Sequence, residues 1–92
     1  MGRAKRLRVE KLGAKLRAIR EGFGLTQEEL IERLKLDGVI YQGNISEYEL
    51  GKREPPLPIL LRYAKLFGVS TDLLIDDAAR LPKPPPAKTS RV

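Results

Sequence analysis

The side chains that could carry covalent chemistry are few in this sequence. There is no Cys and no His, so thiol nucleophiles, Cys/His zinc sites and Ser-His-Asp triads are excluded by residue type. Gly51-Lys52 is followed by Arg53 and lacks the upstream glycine of a phosphate-binding loop. Asp76 and Asp77 are adjacent, hence on different faces of a helix, and make no carboxylate dyad. We therefore expect no enzyme activity, no cofactor and no metal.

The positive charge of the chain is concentrated near its start. The net charge is +6, and residues 1–20 hold eight basic side chains against one acid, Glu10. The remainder is close to balanced, with ten basic and eleven acidic residues. Such asymmetry is typical of a segment that meets a polyanion, most often nucleic acid, although a solvated helix face is the plainer alternative.

Residues 41–56, YQGNISEYELGKREPP, combine a short helical pattern with a basic end. Tyr41, Ile45 and Tyr48 are spaced to lie on one side of a helix, so we expect both tyrosines to pack in or around the core. The other side and the N-terminal corner carry short or polar side chains, namely Gln42, Gly43, Ser46 and Glu47. A helix that enters the DNA major groove needs such a face.

Five helices are predicted to position this segment, which makes the fold all-α. The first covers residues 8–21, and T-Q-E-E at Thr26 is a capping box that begins the second. The third runs from Gln42 to Leu50, where Gly51 and two prolines end it. The fourth begins near Leu57 and ends at Gly68, and Ser70 caps the fifth. We expect the fourth helix to turn inward Leu57, Leu60, Leu61, Ala64 and Phe67.

Three stretches in order, LTQEEL, ISEYELGKREP and LLRYAKLFGVSTDLL, resemble the Cro/repressor-type (XRE family) helix-turn-helix transcriptional regulators over roughly residues 9 to 77. The resemblance implies a compact five-helix bundle of the lambda repressor-like DNA-binding type, with the third helix in the major groove. One departure is Lys35 to Gly38, an apparent insertion that lengthens either the second helix or the turn after it.

The same resemblance assigns roles to individual residues. Gln42, Gly43 and Glu47 take the base-reading positions, and Asn44 and Ser46 complete that set. Gln27 is expected to bond a phosphate and to brace the third helix. The other expected phosphate contacts are basic, namely Arg3, Lys5, Arg6, Arg17, Arg20, Lys52 and Arg53. Lys52 and Arg53 have an alternative role, since cations also complement the carbonyl end of a helix.

The fifth helix has an apolar face wider than a surface helix requires, formed by Leu73, Leu74, Ile75 and Ala78. These residues predict either a homodimer contact, which suits a palindromic DNA site, or completion of a small core. Around the domain at residues 9–80, residues 1–8 are predicted to form a basic arm and residues 81–92 a Pro-rich disordered tail.

The function predicted from these features is sequence-specific binding of double-stranded DNA by a transcriptional regulator. We expect this regulator to be a repressor. Two alternatives remain open: a module whose partner is another protein, and an antitoxin that binds both DNA and a toxin. No apolar run approaches the roughly 20 residues of a membrane span, and no signal peptide is evident. We expect a cytoplasmic protein of bacterial or phage origin without membrane association.

Overall fold

The computed structural model describes residues 9–81, and within them the regular secondary structure is helical. The helices are α1 (Leu12–Gly22), α2 (Gln27–Arg33), α3 (Gln42–Glu49), α4 (Leu57–Phe67) and α5 (Thr71–Ile75). These bounds confirm the predicted all-α fold and its five helices, although α1 begins at Leu12 and not at the predicted residue 8. None of the helices in residues 9–81 is long and apolar enough to cross a membrane.

Local signals set most helix ends where the sequence predicted them. Thr26 Oγ1 accepts from the Glu29 amide at 3.0 Å, and Glu29 Oε1 accepts from the Thr26 amide at 2.9 Å, which completes the capping box. The Ser70 hydroxyl accepts from the Leu73 amide at the start of α5. Gly68 ends α4 with a φ of 70°, which a residue with a β-carbon seldom adopts.

The core is formed by apolar side chains from all five helices and from the connection between α2 and α3. Leu16, Leu30, Ile45, Tyr63 and Leu74 are each fully buried in it. The predicted inner face of α4 was wrong at Leu57 and Leu61, which are 78% and 48% exposed. The buried arc of α4 runs through Ile59, Leu60, Tyr63, Ala64 and Phe67. At roughly 100° per residue, the two exposed leucines fall beyond one edge of that arc.

The insertion at Lys35 to Gly38 lengthens the connection between α2 and α3, since α2 ends at Arg33. Residues 34–41 form this connection. Leu36 and Ile40 are buried and attach it to the core, whereas Val39 is 65% exposed. Tyr41 was predicted to pack against the core but is 67% exposed, because it precedes the first turn of α3.

The C-terminal segment after α5 is held against α1 by polar contacts. Lys15 Nζ donates to the carbonyls of Leu73 at 2.7 Å and Asp76 at 2.8 Å. The carboxylate of Asp77 accepts from the amides of Glu10 and Lys11, both at 2.9 Å. These contacts tie α1 and α5 together at one end of the domain. Leu81, at the predicted start of the tail, is partly buried against the core.

Candidate nucleic-acid interface

The helix α3 presents the polar face that the sequence predicted. Ile45 and Tyr48 anchor its inner side, at 0% and 4% exposure. Gln42 and Gly43 are exposed at its first turn. Ser46 and Glu47 are half-buried, as is Asn44. The exposed corner therefore lies at the N-terminus of α3, which is the end that contacts base edges in helix-turn-helix proteins.

The side chain of Asn44 helps to begin α3. Its Oδ1 accepts from the Tyr41 amide at 2.8 Å. This bond satisfies an amide at the helix start and engages one of the two polar groups of the Asn44 side chain. Asn44 was predicted to read bases, and this structure gives it a local structural role at the same position.

A chain of hydrogen bonds joins the exposed corner of α3 to the interior. Gln42 Nε2 donates to Gln27 Oε1 at 3.0 Å, and Gln27 Nε2 donates to Glu49 Oε1 at 3.1 Å. The predicted bracing of α3 by Gln27 thus corresponds to a direct contact between the first turns of α2 and α3. This contact restricts the rotamers of Gln42 before any ligand arrives, which favours a defined hydrogen-bonding geometry.

This series of hydrogen bonds ends inside the domain at a buried ion pair between α1 and α3. Arg20 Nε donates to Glu49 Oε2 at 2.7 Å, and Arg20 Nη2 lies 3.1 Å from Glu49 Oε1. Their side chains are only 12% and 3% exposed. Arg20 also donates to the Leu25 carbonyl at 2.7 Å. The pKa of Arg20 is raised, chiefly by its hydrogen bond to Glu49.

This ion pair bears on one sequence-based prediction. Arg20 was predicted to contact phosphate; its guanidinium bonds Glu49 and the Leu25 carbonyl, and the phosphate contact stays a prediction. The acid Glu49 of α3 is buried and paired, so its charge is largely neutralised locally. Its position one residue after Tyr48 and four after Ile45 places it on the inner side of α3, and this spacing could have indicated a buried carboxylate.

The basic end of α3 is exposed, and part of it is paired. Arg53 Nε lies 3.0 Å from Glu47 Oε1, and the two side chains are 64% and 44% exposed. An exposed pair of this kind contributes little to stability and separates readily. Lys52 beside it is exposed and takes part in none of the ion pairs found in residues 9–81. Both cations therefore remain accessible to an anionic partner.

A recess of about 220 Å³ lies between α1, α2 and α3. Its lining consists of Arg17, Arg20, Gln27, Ser46, Glu49 and Leu50. Arg17 is exposed and forms a pair with Glu21 at 3.1 Å, in the i, i+4 arrangement of a helix surface. The structure thus brings Arg17, Gln27 and Ser46 together, although they come from three separate segments.

The predicted dimer face of α5 is not continuous. Leu74 is fully buried and belongs to the core, so its prediction as a dimer contact is wrong. The helix ends at Ile75, where Asp76 turns to extended backbone, and Ala78 therefore lies beyond it. Ile75 is 40% exposed and Leu73 is half-buried. The fifth helix mainly completes the core, which was the alternative left open by the sequence.

The basic arm with Arg3, Lys5 and Arg6, and the tail from residue 82 onward, lie outside the described residues. Within residues 9–81, no group of three or more potential ligand residues could hold a metal ion.

Comparisons with known proteins identify related sequences. The family described as helix-turn-helix domain matches residues 13–80. The HTH-type transcriptional regulator ImmR of Bacillus subtilis (strain 168) is 38% identical over 64 residues, which cover 70% of this chain and 47% of ImmR. The SPbeta prophage-derived uncharacterized HTH-type transcriptional regulator YonR of the same organism is 36% identical over 63 residues, which cover 68% of this chain and 55% of YonR. The chain spans about half the length of these curated relatives. No solved structure matches it significantly.

The family match begins in α1 and extends past α5, so it includes the α2–α3 pair and the connection between them. It confirms the resemblance carried by LTQEEL, ISEYELGKREP and LLRYAKLFGVSTDLL. The chain belongs to the Cro/repressor-type (XRE) helix-turn-helix family.

Proposed function

We propose that this chain binds double-stranded DNA sequence-specifically and acts as a transcriptional repressor. The observation that carries the proposal is the exposed first turn of α3, which Gln27 braces through its bond to Gln42. Both curated relatives are described as transcriptional regulators, which supports the same class of function. In this proposal α3 enters the major groove with its N-terminus forward.

Base reading falls to the polar side chains of α3 that remain available. Gln42 can pair with adenine, and Glu47 can accept from the amino group of cytosine. Gly43 has no side chain and allows the backbone to approach the bases closely, while Ser46 offers a hydroxyl. Asn44 contributes by holding the first turn through its bond to the Tyr41 amide.

Phosphate contacts come from the cations around this face. Lys52 and Arg53 follow α3, and Arg17 lines the recess that also contains Gln27. The arm residues Arg3, Lys5 and Arg6 add charge that raises affinity without carrying sequence information. Glu47 links the two functions, because its pair with Arg53 opens when Glu47 turns to a base.

The test separates base reading from phosphate binding. A preferred site is first selected from random duplex DNA at two salt concentrations. Gln42→Ala and Glu47→Ala should then each lose on the order of 1–3 kcal/mol of binding free energy on that site, with little loss of affinity for random DNA. Lys52→Ala should weaken both and reduce the log-log salt slope by about 0.9. Glu32→Ala, on an exposed part of α2, is the control and should change neither affinity.

The structure sharpens the expectation for Glu47. Because Arg53 is paired with Glu47, Glu47→Ala removes a negative charge and releases a cation, so affinity for random DNA should rise. If all variants shifted the preferred and random affinities by the same ratio, α3 would not be reading bases. In that case a protein partner, such as a toxin, would become the better candidate ligand.

The proposal includes a homodimer that matches a palindromic site, with the exposed Ile75 in its contact. Ile75→Glu should shift the protein toward monomer in analytical ultracentrifugation and weaken binding to a two-half-site duplex. Affinity for a single half-site should stay unchanged. A wild-type monomer, both free and on the two-half-site duplex, would reject the dimer while leaving base reading intact.

A further inference from the structure

A shallow depression of about 470 Å³ lies at the carboxyl end of α2, against α4. We call it the α2–α4 basic depression; its lining is Arg33, Leu34, Lys35, Arg62, Lys65 and Leu66. Four of these six residues are cations. Among residues 9–81, the ion pairs involve Arg17, Arg20 and Arg53, and none involves the four cations of this depression. In the described residues, none of the four cations therefore lies within ion-pair distance of a carboxylate.

The backbone of Lys35 is unusual for a residue with a side chain. Its φ is 61°, and it is the single non-glycine residue of positive φ within residues 9–81. The Lys35 amide donates to the Glu32 carbonyl and the Leu36 amide to the Ile31 carbonyl, both at 3.0 Å. This pattern ends a helix with a left-handed residue, a position that glycine fills with less strain. The exposed Lys35 at this left-handed position is part of the lining of the depression.

Arg62 is held against the end of α2 by hydrogen bonds. Its Nη1 donates to the carbonyls of Leu34 at 2.8 Å and Lys35 at 3.0 Å. These bonds hold the plane of the guanidinium, which carries further donors on its other nitrogens. Lys65 follows Arg62 by three residues on α4 and thus lies on the same side of that helix.

We propose that the α2–α4 basic depression binds a small phosphate-bearing ligand. A planar guanidinium fork with lysine charges around it is suited to phosphate oxygens. Leu66, which is half-buried, offers an apolar contact to the organic part of such a ligand.

The depression is separate from the proposed DNA-binding face. It lies at the last turn of α2, whereas Gln27, which bonds Gln42, is the first residue of that helix. Seven residues of helix span about 10 Å. This inference therefore does not depend on the proposed function, and its test uses a ligand other than DNA.

The probe is inorganic pyrophosphate, titrated into the full chain at constant ionic strength with amide chemical shifts as the readout. We expect saturable binding, with the largest shifts at residues 33–35 and 62–66. Lys35→Gly and Lys65→Gln should each weaken binding roughly fivefold. Lys11→Gln removes an exposed lysine at the start of α1 and should have no effect. Lys35→Gly also relieves the strained backbone, so its melting temperature should not fall and lost binding cannot reflect unfolding.

Several outcomes would overturn the proposal. Shifts that do not saturate, or equal weakening by Lys11→Gln, would mean that pyrophosphate senses only the overall charge. If Lys35→Gly and Lys65→Gln bound duplex DNA more weakly, with a smaller slope of log affinity against log salt, the depression would be a contact for DNA phosphates. Tighter binding of a hexaglutamate peptide than of pyrophosphate at the same residues would identify an acidic protein segment as the ligand.

Discussion

Replacing Glu49 by Gln tests whether the ion pair between α1 and α3 is held as a buried unit. The substitution keeps the shape of the side chain but removes its charge. It also replaces one acceptor oxygen by an amide that faces donors from Arg20 and Gln27. The guanidinium of Arg20, which is 12% exposed, is then left without its counter-charge.

The size of the effect follows from burial. Removing one partner of a buried pair typically costs 3–5 kcal/mol, because the remaining charge is desolvated and unpaired. Gln retains one carbonyl as an acceptor, so we expect about 3 kcal/mol, near the lower end. For a domain of this size that loss corresponds to a fall in melting temperature of roughly 12–24 °C. It is also a large part of a total stability of order 5–15 kcal/mol.

The assay is urea unfolding followed by circular dichroism at 222 nm. The matched control is Glu47→Gln, the same change on the same helix at a side chain that is 44% exposed, which should cost less than about 1 kcal/mol. The double variant Arg20→Met/Glu49→Leu should be more stable than Glu49→Gln, since apolar groups can replace a buried pair. Equal losses for Glu49→Gln and Glu47→Gln would refute the reasoning.

Two further predictions concern other helix contacts. Gly13→Ala should lower the free energy of unfolding by about 1–3 kcal/mol, because the added β-carbon would lie 2.6 Å from the carbonyl oxygen of Glu49. Gly43→Ala should raise it by about 0.5–1 kcal/mol, because a β-carbon there would meet nothing within 4 Å. Urea unfolding of both checks this pair, and a change of the same sign in both would contradict it. Hydrogen bonds from the Glu10 and Lys11 amides lower the pKa of the Asp77 carboxyl below its ordinary 3.8. The stability that the ionised carboxylate contributes is therefore present above pH 3.8 and is lost as pH falls through the lower pKa of the folded state. The stability gap between wild type and Asp77→Asn should therefore close below about pH 4, and a gap that widens on acidification would exclude this role.

The helices could be predicted because their ends depend on neighbouring residues. The Thr26–Glu29 capping box, the Ser70 cap and the left-handed Gly68 each act within a few residues of the chain. The exposed corner of α3 at Gln42 and Gly43 follows from the same short-range spacing. Family resemblance suggested roles for these residues, among them bracing of α3 by Gln27, which accepts a hydrogen bond from Gln42 on that helix.

Burial was harder to predict because it depends on segments that are distant in sequence. The apolar spacing of α4 includes Leu57 and Leu61, yet the neighbouring helices leave both exposed. On α5, Leu74 resembled a surface leucine that could join a dimer but fills the core. Tyr41 has helical spacing with Ile45, but it precedes the first turn and remains exposed.

The sequence by itself determined the helical fold, most helix ends and the face of α3 that meets solvent, because hydrogen bonds and spacing within about four residues decide them. Only the tertiary structure decided that Arg20 and Glu49, 29 residues apart, form a buried pair that supports Gln27. It also decided that Gly13 must lack a side chain where α1 touches α3. Close packing and the loss of solvation at such contacts arise only when distant segments meet.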